Sequence, residues 1–102
     1  MGVYQVRNAV SGKAYIGTSV DLPSMLNRQR AQLRLGAHAD RALQADWNAL
    51  GGEAFVFEVL DTLDPPDEPG YDPGDDLRTL EDLWRAKLAA AGAEAYNPPK
   101  RR

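Results

Sequence analysis

Hydrophobic and polar positions alternate with a two-residue period at the start of the chain. Val3 and Gln5 fall on one side of an extended segment, Tyr4 and Val6 on the other, and Arg7 ends it. Asn8 to Gly12 carries turn chemistry, with Ser11-Gly12 supplying a position that tolerates positive φ. Lys13 to Gly17 reads as the return strand of a hairpin. The period then lengthens. Asp21 is an N-cap residue, Pro23 sits in the first helical turn behind it, and the helix runs to about Leu35 before Gly36 stops it. A second helix fits Asp40 to Leu50, ended by Gly51-Gly52. Ala54 to Leu63 has the longest strand pattern, with Phe55, Phe57, Val59 and Asp61 alternating against Val56, Glu58, Leu60 and Thr62. Asp64 to Gly74 is rich in proline, glycine and acids and reads as a loop. Asp75 or Asp76 then caps a third helix reaching about Ala91, and Ala95 to Pro99 adds a last short extended piece. The order β-β-α-α-β-α predicts a small α/β domain: a three-stranded, mainly antiparallel sheet with helices packed on it.

Helical angles single out polar residues that face inward. With Leu22 as origin, Met25, Leu26 and Leu33 fall within about 60° of it, and Gln29 falls near −20°, inside the apolar stripe. A polar side chain there needs a partner or a small wet cavity. Arg28 and Arg30 fall off the stripe. On the third helix, with Leu77 as origin, Leu80, Trp84 and Leu88 form the stripe, and Glu81 lies near +40°, on its edge. A core-facing carboxylate is costly unless it is paired or holds a metal, so Glu81 stands out among the fifteen acids. It either marks a site or pairs with an arginine such as Arg28. Trp47 and Trp84 lie on apolar faces and read as core.

Composition narrows the classes. At 102 residues the chain makes one domain, taken as residues 1–97 with a basic tail, 98–102. There is no cysteine, so disulfides and thiolate metal sites are excluded. No apolar run approaches membrane-spanning length and the N-terminus does not resemble a signal peptide, so a cytoplasmic protein without membrane contact is expected. The net charge of −3 hides an asymmetry. Residues 1–45 carry six cationic side chains against Asp21 and Asp40, whereas residues 46–99 carry thirteen acids against Arg78, Arg85 and Lys87. A phosphate backbone would prefer the first half and the tail Lys100-Arg101-Arg102. Plain surface solubility accounts for the same charges.

Gly2-Val3-Tyr4 and Ala14-Tyr15-Ile16-Gly17 put two tyrosines on neighbouring strands beside a strand-ending glycine. The pairing resembles the signature of the GIY-YIG nucleases, with valine in place of the first isoleucine. Gly36-Ala37-His38 and Leu43-Gln44-Ala45-Asp46-Trp47-Asn48 resemble the second-helix region of the homing-endonuclease branch. Phe55 to Leu60 resembles the third strand, Leu80-Glu81-Asp82-Leu83-Trp84 the helix with the metal-binding glutamate, and Tyr96-Asn97 the closing motif.

The resemblance implies a DNA endonuclease that hydrolyses phosphodiester bonds with one divalent cation, Mg2+ or Mn2+, held by Glu81. Tyr4 and Tyr15 are then the candidates for deprotonating or orienting the attacking water, and Gly17 lets backbone approach the substrate. Gln29, His38 and Asn97 become candidate substrate contacts. His38 reads sooner as a helix-capping or surface imidazole, and Asn97 equally as a strand end. The arginine of the family's first helix falls on Met25, which cannot donate to phosphate. Arg28, one turn further on, is the substitute that the sequence offers, and activity is expected to be reduced or altered. The alternative is an inactive fold that binds nucleic acid or a protein. So small a domain grips few phosphates, so DNA binding would be weak alone and specificity would come from a protein partner or a homodimer.

Overall fold

Local chemistry sets the helix ends in the computed structural model, which describes residues 1–97. The hairpin strands are β1 (Gly2–Asn8) and β2 (Ala14–Ser19). Helix α1 (Leu22–Leu35) starts at Asp21, whose carboxylate accepts from the Ser24 amide at 3.2 Å and the Ser24 hydroxyl at 2.9 Å, and ends at Gly36 in the left-handed region. Helix α2 (Arg41–Leu50) is capped in the same way by Asp40, which accepts from the Leu43 amide. A short 3-10 turn leads into β3 (Phe55–Thr62), and α3 (Gly74–Ala90) closes the order β-β-α-α-β-α.

The start of α3 corrects one expectation. Neither Asp75 nor Asp76 caps it: the helix begins at Gly74, with Pro73 at the cap position, and both acids lie in the first turn. There their charge still meets the positive end of the helix dipole. Asp72 accepts from the Gly74 amide instead, at 2.9 Å. The basic tail lies outside the described residues.

The sheet runs β2-β1-β3 and is antiparallel throughout. Tyr4 stands opposite Gly17, and Val6 opposite Tyr15 and Phe57. Between Val3 and Tyr4 the register against β3 slips, leaving Leu60 as the extra residue of a bulge. As the central strand, β1 is buried on both faces. On one face Val6 packs with Leu33, Leu43 and Phe55 beneath α1 and α2; on the other Val3, Ala14 and Ile16 pack against Leu80, Trp84 and Leu88 of α3. The domain is therefore a helix–sheet–helix sandwich, and β2 is an edge that both helical layers can reach. Past α3 the chain returns to that edge, where Ala95 bridges Ala14 in parallel.

Candidate active site

The site begins with a steric fact about its two motif glycines. A Cβ on Gly17 would stand 2.5 Å from the Tyr4 hydroxyl oxygen and 2.6 Å from its ring. A Cβ on Gly2 would stand 2.0 Å from the Asp61 carbonyl oxygen. Gly2 thus lets β3 close on β1, and Gly17 lets the Tyr4 phenol lie across β2. That crossing is what the structure requires of Gly17, which also lines the pocket.

Helix α3 brings Glu81 and Arg85 to the same edge. Tyr4, Tyr15, Gly17, Glu81, Arg85 and Asn97 line one pocket of about 340 Å³. Arg85 donates from Nε to Glu81 at 2.6 Å, from Nη1 to the Asn97 carbonyl at 2.7 Å, and more distantly from Nη2 to the Ile16 carbonyl at 3.4 Å. The Asn97 side chain pairs with Ile16 as another strand would, accepting from its amide at 2.9 Å and donating to its carbonyl at 2.6 Å. Asn97 therefore both lines the pocket and closes the strand edge. Next to it, Tyr96 ties the layers together, donating to Asp46 of α2 and accepting from Asn8 of β1.

Burial raises the pKa of Tyr4 above its ordinary value, and the neighbouring Tyr15 and Glu81 add to the rise. Tyr15 is raised as well, by burial first and then by Asp40. Both are neutral phenols near pH 7, able to donate a hydrogen bond.

Behind Tyr4 runs a buried polar chain. Gln29 donates from Nε2 to the Tyr4 oxygen at 3.2 Å and pairs through Oε1 with His38 Nε2. His38 Nδ1 accepts from the Asp40 amide, which assigns the ring proton to Nε2. The His38 amide donates to Gln44, and Gln44 donates in turn to the Leu33 carbonyl and to Asn48. The His38 ring also meets Tyr15 edge-on at 5.0 Å. Burial lowers the His38 pKa, against an opposing pull from Asp40. His38 is thus no surface imidazole, and neither it nor Gln29 lines the pocket: the two support the tyrosines from behind.

Arg28 is exposed and does not line the pocket, because its side of α1 faces solvent; its charge is still felt at Tyr4, whose pKa it lowers slightly. Met25 is half-buried, with its sulfur 3.7 Å from Gln29 Nε2. Arg85 was not singled out by the sequence. Its signal was the four-residue step from Glu81, which puts both on one stretch of helix surface.

A divalent ion fits this donor set in one form only. Among the described residues no three His, Cys, Asp or Glu side chains gather. Magnesium is commonly held by one carboxylate, waters and substrate phosphate. Arg85 engages Glu81 Oε2, and no described residue hydrogen-bonds Oε1.

No family model matches the chain. A curated relative, intron-associated endonuclease 1 of Enterobacteria phage T4, is 29% identical over 62 residues, which cover 61% of this chain and 25% of the relative. The chain thus matches about a quarter of that protein's length. Among solved structures, the catalytic domain of homing endonuclease I-TevI aligns with a TM-score of 0.71 and 24% identity, over 95% of this chain and 98% of that one. A glutamate-to-alanine mutant of the same domain aligns with a TM-score of 0.74 and 25% identity, over 98% of this chain and 95% of that one. Over nearly all its length the chain has the fold of that homing-endonuclease catalytic domain.

Proposed function

We propose that this domain is a nuclease that hydrolyses phosphodiester bonds in DNA and depends on a divalent cation, Mg2+ or Mn2+, at Glu81. The observation that carries the reading is the convergence of Tyr4, Tyr15 and Glu81, from opposite ends of the chain, in one pocket. When bound, the cation supplies electrophilic stabilisation of the phosphate and of the leaving oxygen. Glu81 is the residue that would hold it. The Tyr4 oxygen already accepts from Gln29, so its own O–H is directed to another partner, a phosphate oxygen or the attacking water. With pKa values raised, Tyr4 and Tyr15 bind and align as neutral donors rather than as standing phenolates. Activity is altered relative to enzymes with an arginine at the Met25 position. DNA affinity is weak for the isolated domain, and sequence choice comes from a protein partner or a second copy.

One feature favours the alternative of binding without cutting: Glu81 is already ion-paired with Arg85. Incubation of supercoiled plasmid and single-stranded DNA with Mg2+ or Mn2+, beside Glu81→Ala prepared identically, separates the two. Nicking abolished by the substitution supports the nuclease. A salt-sensitive mobility shift with no nicking under either metal supports binding alone.

A further inference from the structure

We propose that Arg85 is the cation that meets the scissile phosphate, supplied from α3 in place of the arginine that α1 lacks. The inference deepens the nuclease reading and rests on it. Among the described residues that line the pocket, Arg85 is the only cationic one. Met25 has no charge to offer, and Arg28 is exposed and does not line the pocket, although its charge is felt at Tyr4. The Arg85 side chain is only 11% exposed, so its charge acts in a partly dry setting where it is worth more than on the surface.

Its hydrogen bonds argue for more than a structural clamp. A guanidinium carries five N–H groups in a rigid fork. Three point at Glu81, the Asn97 carbonyl and the Ile16 carbonyl, the last at a long 3.4 Å. Two remain, one on each terminal nitrogen, and no described residue takes them. The fork is thus held from three sides and keeps two donors, the form of a preorganised anion contact. In the reaction a water oxygen bonds to phosphorus, the bond from phosphorus to the leaving oxygen breaks, and the water's proton passes to solvent while the leaving oxygen gains one. Arg85 stays protonated throughout. It acts on the negative charge that grows on the phosphate oxygens.

The test compares Arg85→Ala, Arg85→Lys and the double variant Arg85→Ala with Met25→Arg. Three readouts are used: plasmid nicking with Mg2+ or Mn2+, circular dichroism with thermal melting, and the salt dependence of binding to a short duplex in EDTA. Arg85→Ala is expected to nick about 10²- to 10³-fold more slowly, as for loss of one preorganised donor, with Arg85→Lys in between. Adding Met25→Arg is expected to recover at least about tenfold, since the charge then enters from α1, a gain that lost packing at position 85 does not predict. The slope of log affinity against log salt is expected to fall by about one phosphate contact in Arg85→Ala. Should Arg85→Ala fail to fold, Arg85→Gln replaces it in every comparison. Nicking by Arg85→Ala within about threefold of the parent overturns the role of Arg85 and leaves the nuclease reading intact. A parent protein inert with both metals ends the nuclease reading, and the salt slope then decides for Arg85: an unchanged slope removes the phosphate contact, a reduced one keeps it.

Discussion

The phenol of Tyr4 lies across Gly17 with no space for a methyl group between them. The two residues face each other on β1 and β2, and the missing side chain of one is what seats the other at the pocket. Gly17→Ala is therefore expected to destabilise the domain by roughly 1–3 kcal/mol, in the range of an overpacked site. The ring carbon is as close as the oxygen, so Tyr4→Phe brings no relief, while Gly17→Ala made in a Tyr4→Ala background costs almost nothing further. Urea denaturation of the four proteins in the alanine cycle measures this coupling.

His38 gives stability a pH dependence of known sign. Its folded pKa lies below the ordinary 6.5 because burial disfavours the charged ring. As pH falls below 6.5 the unfolded chain takes up a proton that the folded chain resists, so stability present above 6.5 is lost towards the lowered value. It is the only histidine, so few other groups titrate in that window. Melting temperature is expected to fall between pH 7 and pH 5 in the parent protein, and to change much less in His38→Asn. Equal slopes for the two would remove His38 as the cause.

Asn97→Ala removes the acceptor of the Ile16 amide and the nearer donor to its carbonyl, which keeps only the long contact from Arg85. Ile16 is buried, and an unpaired buried amide costs about 1–3 kcal/mol. The Ile16 amide is expected to exchange with solvent much faster in the variant, while Val6, in the centre of the sheet, keeps its protection as far as global stability allows. Hydrogen exchange followed by NMR checks both amides in one experiment.

If Glu81 holds a divalent cation, as proposed, Arg85 competes with it for the charge of Glu81. Arg85→Gln is expected to tighten Mn2+ binding roughly two- to fivefold, matching an ion pair of modest strength, even as nicking slows. Mn2+ titration followed by electron paramagnetic resonance reads the affinity independently of cleavage. Weaker Mn2+ binding in the variant would mean that Arg85 orients Glu81 for the metal instead of opposing it.

What could be read from the chain alone was what neighbours in sequence decide. Asp21, Gly36 and Asp40 mark helix ends through contacts three residues long, so those ends were legible. Glu81 stood out because a charge at the margin of an apolar stripe is rare enough to notice. Arg85 did not: its importance depends on α3 reaching β2 and on the carbonyl of Asn97, neither of which helical spacing encodes. The support of Tyr4 by Gln29 and His38 was half visible, since the inward angle of Gln29 announced a partner without naming it. At the start of α3, Asp75 and Asp76 look like caps in the sequence, but Pro73 and Gly74 have already turned the chain.

The bond between Ile16 and Asn97 joins positions 81 residues apart, and the pocket lies where they meet. A ribosome releasing this polypeptide exposes the tyrosines long before the acid, the guanidinium and the closing amide emerge. A half-made or half-unfolded copy holds its reactive groups scattered. Whatever chemistry the pocket performs, it begins only once residues 4–18 and 81–97 have come together.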